Sequence, residues 1–272
     1  MNRREFIAAA AAFAAVGAKG EEAVQAGGRR IRLAAQMYSV RGVIDDAEGF
    51  RTMLRLMKKF GYDGVELCGS WMGAKELKEF LDRLGLACAG AHVGLAACLP
   101  AAVSKTCDDA LACGNDKIVM PWAEPPKDCQ DVEGFWRRLG EDLSKSAEIA
   151  KARGVHLLYH NHGHEFTRRI GERTLWDLMF AESSPALEFQ IDVGHLALAG
   201  VNATRFFARY PDRIRTIHAK PFVERVDWRE IGEVTRRNVT EWYVVEAEAD
   251  PWDTGKMKRG ADIVRAKCPF LG

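Results

Sequence analysis

The chain has 272 residues, 39 lysines and arginines against 38 acidic residues, and a formal net charge of +1. That balance lacks the broad basic footprint that nucleic-acid binding uses. Seven cysteines, odd in number and without a CxxC pair, argue against a disulfide framework in a chain this long.

Arg3 and Arg4, then Phe6 and Ile7, precede an alanine-rich apolar run from Ala8 to Val16. Basic residues, a short apolar run and a small-residue exit are the order of an export signal, here of the twin-arginine type. We expect a signal over residues 1–26, cleaved after Ala18 or Ala26, and a protein delivered to the periplasm or otherwise exported. The run is too short and too weakly apolar for stable membrane insertion. Residues 27–272 then form a single catalytic domain.

Short apolar runs alternate with amphipathic stretches from there on. Strands are expected over 31–38, 64–67, 86–92, 117–120, 155–160, 187–192, 214–218 and 242–246. Helices are expected over 47–60, 74–84, 100–113, 131–153, 174–182, 203–210, 228–238 and 254–268, with Asp131 as an N-cap. Strict strand–helix alternation implies a parallel sheet, and this length suits closure into an α/β (β/α)8 TIM barrel. A doubly wound sheet is the alternative, but no G-x-G-x-x-G follows the first strand.

In such a barrel the chemistry lies at the C-terminal strand ends. Six of the seven histidines fall there, only His156 lying earlier in its strand. The polar residues at these ends are Gln36, Glu66 and His92, then His160, Asn161, His162, His164 and Glu165. Asp192 with His195, His218 with Lys220, and Glu246 with Glu248 complete the set. Asp192, His218 and Glu246 each follow an apolar run and project toward the mouth. A carboxylate–imidazole–carboxylate set suits one divalent ion, Mn, Co, Zn or Mg, with open coordination positions. The fourth ligand is expected from strand five. Trp122, directly after strand four, is the best candidate for an apolar wall against a sugar, ahead of Tyr38, Trp71, Phe166 and Trp228.

These landmarks resemble the sugar phosphate isomerase/epimerase family of xylose-isomerase-like barrels. Gln36-x-Tyr38-Ser39-Val40-Arg41 is similar to its first strand, and Gly61 to Glu66 to its second. Tyr159-His160-Asn161-His162 with Glu165-Phe166 is similar to the YHNHxxEF signature of one subgroup. His218-x-Lys220 and Val245-Glu246 also match. Asp192 to His195 and Val245 to Pro251 resemble inosose dehydratases as well. The resemblance implies one metal ligand from each of strands five to eight, carried here onto His160, Asp192, His218 and Glu246. Epimerases of the group have a glutamate in the place of His160, so His162 or Glu165 is an alternative ligand, and the two-glutamate mechanism is in doubt. Pro221 stands where many relatives have Asp.

The implied activity is proton abstraction beside the carbonyl of a non-phosphorylated sugar or keto-polyol, giving isomerisation or epimerisation through an enediolate. Glu246, His160 and His162 are candidate bases, and His195 and Lys220 candidate acids. Gln36, Glu66, His92, Trp122, Asn161, Glu165 and Glu248 are candidate substrate contacts. A lyase or dehydratase acting on a keto-cyclitol or 3-keto-glycoside is the alternative, and a non-catalytic sugar-binding barrel a further one. An abasic-site endonuclease, which this fold can also host, is disfavoured by the neutral charge and expected export. The partner is a small molecule and no nucleic acid. Barrels of this type often pair, so a homo-oligomer is compatible with the sequence.

Overall fold

The computed structural model of the protein describes residues 30–247 and 250–271. The export segment expected over 1–26, and Glu248, lie outside them. Eight parallel strands close into a barrel: β1 Arg32–Gln36, β2 Gly64–Leu67, β3 Ala87–His92, β4 Lys117–Met120, β5 His156–His160, β6 Glu188–Asp192, β7 Ile214–Ala219 and β8 Trp242–Val245. Closure is made by β1 against β8, with Arg32 opposite Trp242 and Ala35 opposite Val245. The main helices are α1 Ala47–Lys59, α2 Ala74–Leu84, α3 Val103–Ala112, α4 Val132–Ala152, α5 Leu175–Phe180, α6 Ala203–Arg209, α7 Trp228–Thr235 and α8 Gly255–Lys267.

Strand residues alternate between two faces, and this separates two cores. Leu33, Val65, Ile118, Leu157, Tyr159, Phe189, Ile217 and Tyr243 face outward into one continuous apolar layer beneath the helices. Ala34, Ala89, Trp242 and Val244 form a small separate cluster inside the barrel. Gly64 makes room for that tryptophan, since a Cβ there would lie 2.9 Å from the Trp242 ring.

The starts of the strands carry charge. Arg215 donates from Nη2 to Glu188 Oε1 at 2.6 Å and from Nη1 to Glu241 Oε1 at 2.6 Å. Lys117 Nζ lies 2.8 Å from Glu241 Oε2, and His156 Nδ1 lies 3.2 Å from Glu188 Oε2. This ionic layer closes the N-terminal floor of the barrel.

The expected elements are present with three local differences. The first strand stops at Gln36, where the Gln36 side chain accepts from the Tyr38 N–H and the chain turns into a 3-10 segment, Met37–Val43. The helix expected over 100–113 begins only at Val103, and an unexpected short helix, Leu95–Cys98, precedes it and ends at Leu99, which is extended before Pro100. A two-residue ribbon, Arg169–Ile170 with Arg173–Thr174, turns at Gly171 with φ +57° before α5. Asp131 caps α4 by accepting from the Gly134 N–H at 2.8 Å.

Candidate active site

The inward set of strand residues ends in a polar layer at the C-terminal mouth. Gln36, Glu66, His160, Gln190, Asp192 and His218 are almost wholly buried there. Glu66 is its anchor. Its Oε2 accepts from Gln36 Nε2 at 2.6 Å and lies 2.7 Å from His218 Nε2 and 3.0 Å from His92 Nε2. Its Oε1 accepts from Gln190 Nε2 at 2.6 Å. Burial alone would raise the Glu66 pKa, but His92 and His218 pull it below the ordinary carboxylate range.

His218 bridges two acids, with Nδ1 3.2 Å from Glu246 Oε2. Burial disfavours its charge, yet Glu66 and Glu246 outweigh that and raise its pKa to about 10. Glu246 Oε2 also accepts from Lys220 Nζ at 2.8 Å. Burial would raise Glu246, but His218 and Lys220 hold it well below its usual range. Asp192 starts a short helix and caps it, Oδ1 accepting from the His195 N–H at 2.8 Å. Its Oδ2 is buried and accepts no hydrogen bond, with Lys220 Nζ 3.3 Å away as an ion pair.

One ligand atom from each of Asp192, His218 and Glu246 lies within 4.8 Å of the others, and the same holds for His92, His160 and His218. The first trio fits a borderline-to-hard divalent ion, because it combines two carboxylates, one imidazole and an oxygen, Asp192 Oδ2, that lacks a hydrogen bond. In the second trio His92 Nε2 is taken by Gln190 Oε1 at 2.9 Å and Glu66 Oε2 at 3.0 Å, whereas His160 meets Gln190 Oε1 only through Nδ1, at 2.9 Å.

A cavity of about 570 Å³ opens above this layer, with His92, His160, His162 and Glu246 below and Tyr38 and Trp122 at the lip. Trp122 is 46 % exposed, and its ring meets the edge of His162 at 4.8 Å. Burial holds His160 neutral, its pKa far below the usual imidazole range, helped by His218 and His92. Burial, then His195 and His164, push His162 down to about 3. His195 lies beside His162, ring centroids 4.9 Å apart.

The YHNHxxEF segment divides by strand alternation. His160 and His162 line the cavity. Tyr159 points outward and donates from its hydroxyl to Glu165 Oε1 at 2.9 Å, while Glu165 Oε2 accepts from the His162 N–H at 2.8 Å. Glu165 therefore holds the loop from behind and does not line the cavity. Asn161 links β5 to β6, its Oδ1 accepting from the Asp192 N–H at 2.9 Å. Phe166 stacks on Trp176, and Trp228 is 5 % exposed, so both fill the core and neither walls the cavity. Gln190 was not singled out by its sequence. Its signal was its place two residues before Asp192, on the same face of the strand.

A closed parallel barrel with convergent acids and histidines at its C-terminal mouth defines the class of α/β barrels that work through strand-end side chains. Within that class, the chain belongs to the xylose isomerase-like TIM barrel family, whose sequence model matches residues 54–267. It is similar to a sugar phosphate isomerase/epimerase from Parabacteroides distasonis at TM-score 0.74 and 19% identity, over 92% of this chain and 98% of that one. The fold is also that of the IolI protein, solved with a bound zinc atom, at TM-score 0.63 and 10% identity, over 89% and 98% of the two chains. An inosose dehydratase of Lacticaseibacillus casei is 26% identical over 148 residues, 43% of this chain and 48% of that protein. The chain thus spans about half the length of the curated relative it matches. Among the described residues, no helix is long and apolar enough to cross a membrane.

Proposed function

We propose that this protein is a divalent-metal-dependent enzyme that removes a proton beside the carbonyl of a non-phosphorylated ketosugar or keto-polyol, yielding an isomer or epimer. The observation that carries this reading is the Asp192, His218 and Glu246 trio, its ligand atoms within 4.8 Å, below a cavity lined by histidines. Asp192, His218 and Glu246 would hold the ion, with His160 as the ligand from β5. When bound there, Mn, Co, Zn or Mg supplies Lewis acidity to a carbonyl and its neighbouring hydroxyl.

The chain's own groups do the rest. His162, which lines the cavity, is the base for the C–H proton in this reading. Lys220 Nζ, donating to Glu246 Oε2, is the acid beside a rearranging oxygen, and His195 stands next to His162. The Trp122 and Tyr38 rings at the lip cover the apolar side of the bound molecule. An exported location is part of the proposal, and N-terminal sequencing of the mature protein would place the cut in 1–26 or refute it.

One observation favours a second reading, dehydration or lysis of a keto-cyclitol or 3-keto-glycoside. A histidine, His160, stands at the β5 end where epimerases of the resemblance group carry glutamate, and the dehydratase relative shares sequence with this chain. The deciding experiment follows ketosugars and inososes by NMR in D2O with the reconstituted protein. Deuterium entering carbon with isomer interchange supports the first reading. Loss of water or aglycone supports the second. Binding without exchange or turnover would overturn both and leave a sugar-binding barrel.

A further inference from the structure

Gln190 lies at the centre of the polar layer and touches none of the cavity lining directly except through histidines. Its amide makes four contacts. Nε2 donates to Glu66 Oε1 at 2.6 Å and to Thr216 Oγ1 at 3.0 Å. Oε1 lies 2.9 Å from His160 Nδ1 and 2.9 Å from His92 Nε2. The orientation of an amide is settled by its partners. Glu66 is an ionised carboxylate surrounded by donors, so it can only accept. The Gln190 nitrogen must therefore face Glu66, and the Gln190 oxygen must face the two histidines. The opposite orientation would set an amide oxygen 2.6 Å from a carboxylate oxygen.

An acceptor fixed in that place dictates where the imidazole protons sit. His160 must carry its proton on Nδ1, because only a protonated Nδ1 bonds to the Gln190 oxygen. For His92 the nitrogen involved is Nε2, which faces both the Gln190 oxygen and, at 3.0 Å, Glu66 Oε2. The one donor near it, Gln36 Nε2 at 3.5 Å, is committed to Glu66 Oε2 at 2.6 Å, and the two closer partners can only accept, so Nε2 carries the proton. We infer that Gln190 is a positioning residue that fixes two neighbouring histidines in opposite tautomers, His160 as Nδ1–H and His92 as Nε2–H, and thereby leaves His160 Nε2 as a bare nitrogen at the cavity.

A bare Nε2 is what His160 needs either to bind a divalent ion or to accept a proton, and a hydrogen bond to the other ring nitrogen is the usual means of fixing it. That use rests on the function proposed above. The tautomer assignment does not, since it stands on hydrogen-bond geometry alone.

The test is long-range 1H–15N NMR of histidine-labelled protein, metal-free and zinc-loaded, on the wild type and on Gln190→Met. In the wild type, His160 should show protonated Nδ1 and His92 protonated Nε2 in both forms. In metal-free Gln190→Met, His160 loses its acceptor and should move to the Nε2–H tautomer that free imidazole prefers. Zinc affinity by chelator competition should fall about 10- to 100-fold, as for other supports of a ligating histidine. Wild-type His160 found as Nε2–H would overturn the inference without any variant. An unchanged His160 tautomer in a folded, metal-free Gln190→Met protein would overturn it as well. A correct tautomer with no turnover on any ketosugar would count against the proposed function and leave the role of Gln190 standing.

Discussion

At the scale of single residues, neighbouring groups shift similar side chains in opposite directions. His218, between two acids, has its pKa raised to about 10, whereas His162 nearby is pushed down to about 3. Glu165 shows a shift with a stability consequence. Burial raises its pKa to about 7, partly offset by the hydrogen bonds from Tyr159 and the His162 N–H. A carboxyl whose folded pKa lies above the ordinary value favours the fold while protonated. Its contribution is therefore complete below the ordinary glutamate range and is lost as pH rises through about 7. Glu165→Gln keeps an acceptor for the His162 N–H and carries no charge. Relative to wild type, this variant should gain on the order of 2 kcal/mol of stability between pH 5 and pH 8. Urea titrations of both proteins at the two pH values read that difference, and a constant difference would refute it. Alanine at Asp192, His218 or Glu246 should remove bound divalent metal, as read by elemental analysis after gel filtration. Full metal content in all three variants would mean that the trio is not the metal centre.

That Asp192, His218 and Glu246 meet at one rim was legible, because each directly follows an apolar strand. Gln190 was not singled out, because its place two residues before Asp192 gives its face but not the partners that the facing strands supply. Glu165 was read as a candidate contact to substrate. Only the alternation around Tyr159 turns it away from the cavity.

At the scale of elements, the alternation of runs revealed every barrel strand and main helix, but not how the loops break. The short helix Leu95–Cys98 was not expected, although the rule that the residue before proline avoids the helical region was a signal for its end at Leu99. Helix packing was equally hidden. Gly140 lies in α4 where a Cβ would come within 1.9 Å of the Met179 carbonyl oxygen of α5. The two helices approach each other at that glycine, and nothing local to α4 announces it. Gly140→Ala must push α5 away, and a cost of about 1–3 kcal/mol is expected from overpacking of this kind. Thermal unfolding would show it as a lowered midpoint. An unchanged midpoint would mean that α5 yields without loss.

At the scale of the whole molecule, the closed barrel was readable from length and alternation, and the ionic floor was not. Lys117, Glu188, Arg215 and Glu241 sit at the beginnings of four strands far apart in sequence, and each alone looks like a solvated strand end. Brought together they are a mostly buried network, with side-chain exposures of 3% for Lys117 and 11% for Arg215. Removing one member of a buried ion network leaves its partners uncompensated, which typically costs about 3–5 kcal/mol. Arg215→Met, which keeps the volume, should therefore destabilise the protein by about 3 kcal/mol in urea denaturation. A neutral outcome would show that Lys117 and His156 neutralise Glu188 and Glu241 without it.

The floor also has a direction along the chain. The buried network belongs to β4, β5, β6, β7 and the residue that leads into β8, whereas among the described residues the head of β1 and β2 carries a more exposed pair, Arg30 with Asp63 at 3.6 Å. The later part of the barrel is clamped from beneath by buried charge, while the earlier part has, besides ladder hydrogen bonds and apolar packing, Asp63 accepting from the Leu33 N–H and the part-exposed Arg30–Asp63 pair. Under mild stress the protein should come apart from its first strands, with amide exchange rising there before it does after Lys117. A protease added in small amounts would then make its first cuts in the segment from β1 to α3, leaving the clamped remainder as the longest-lived fragment.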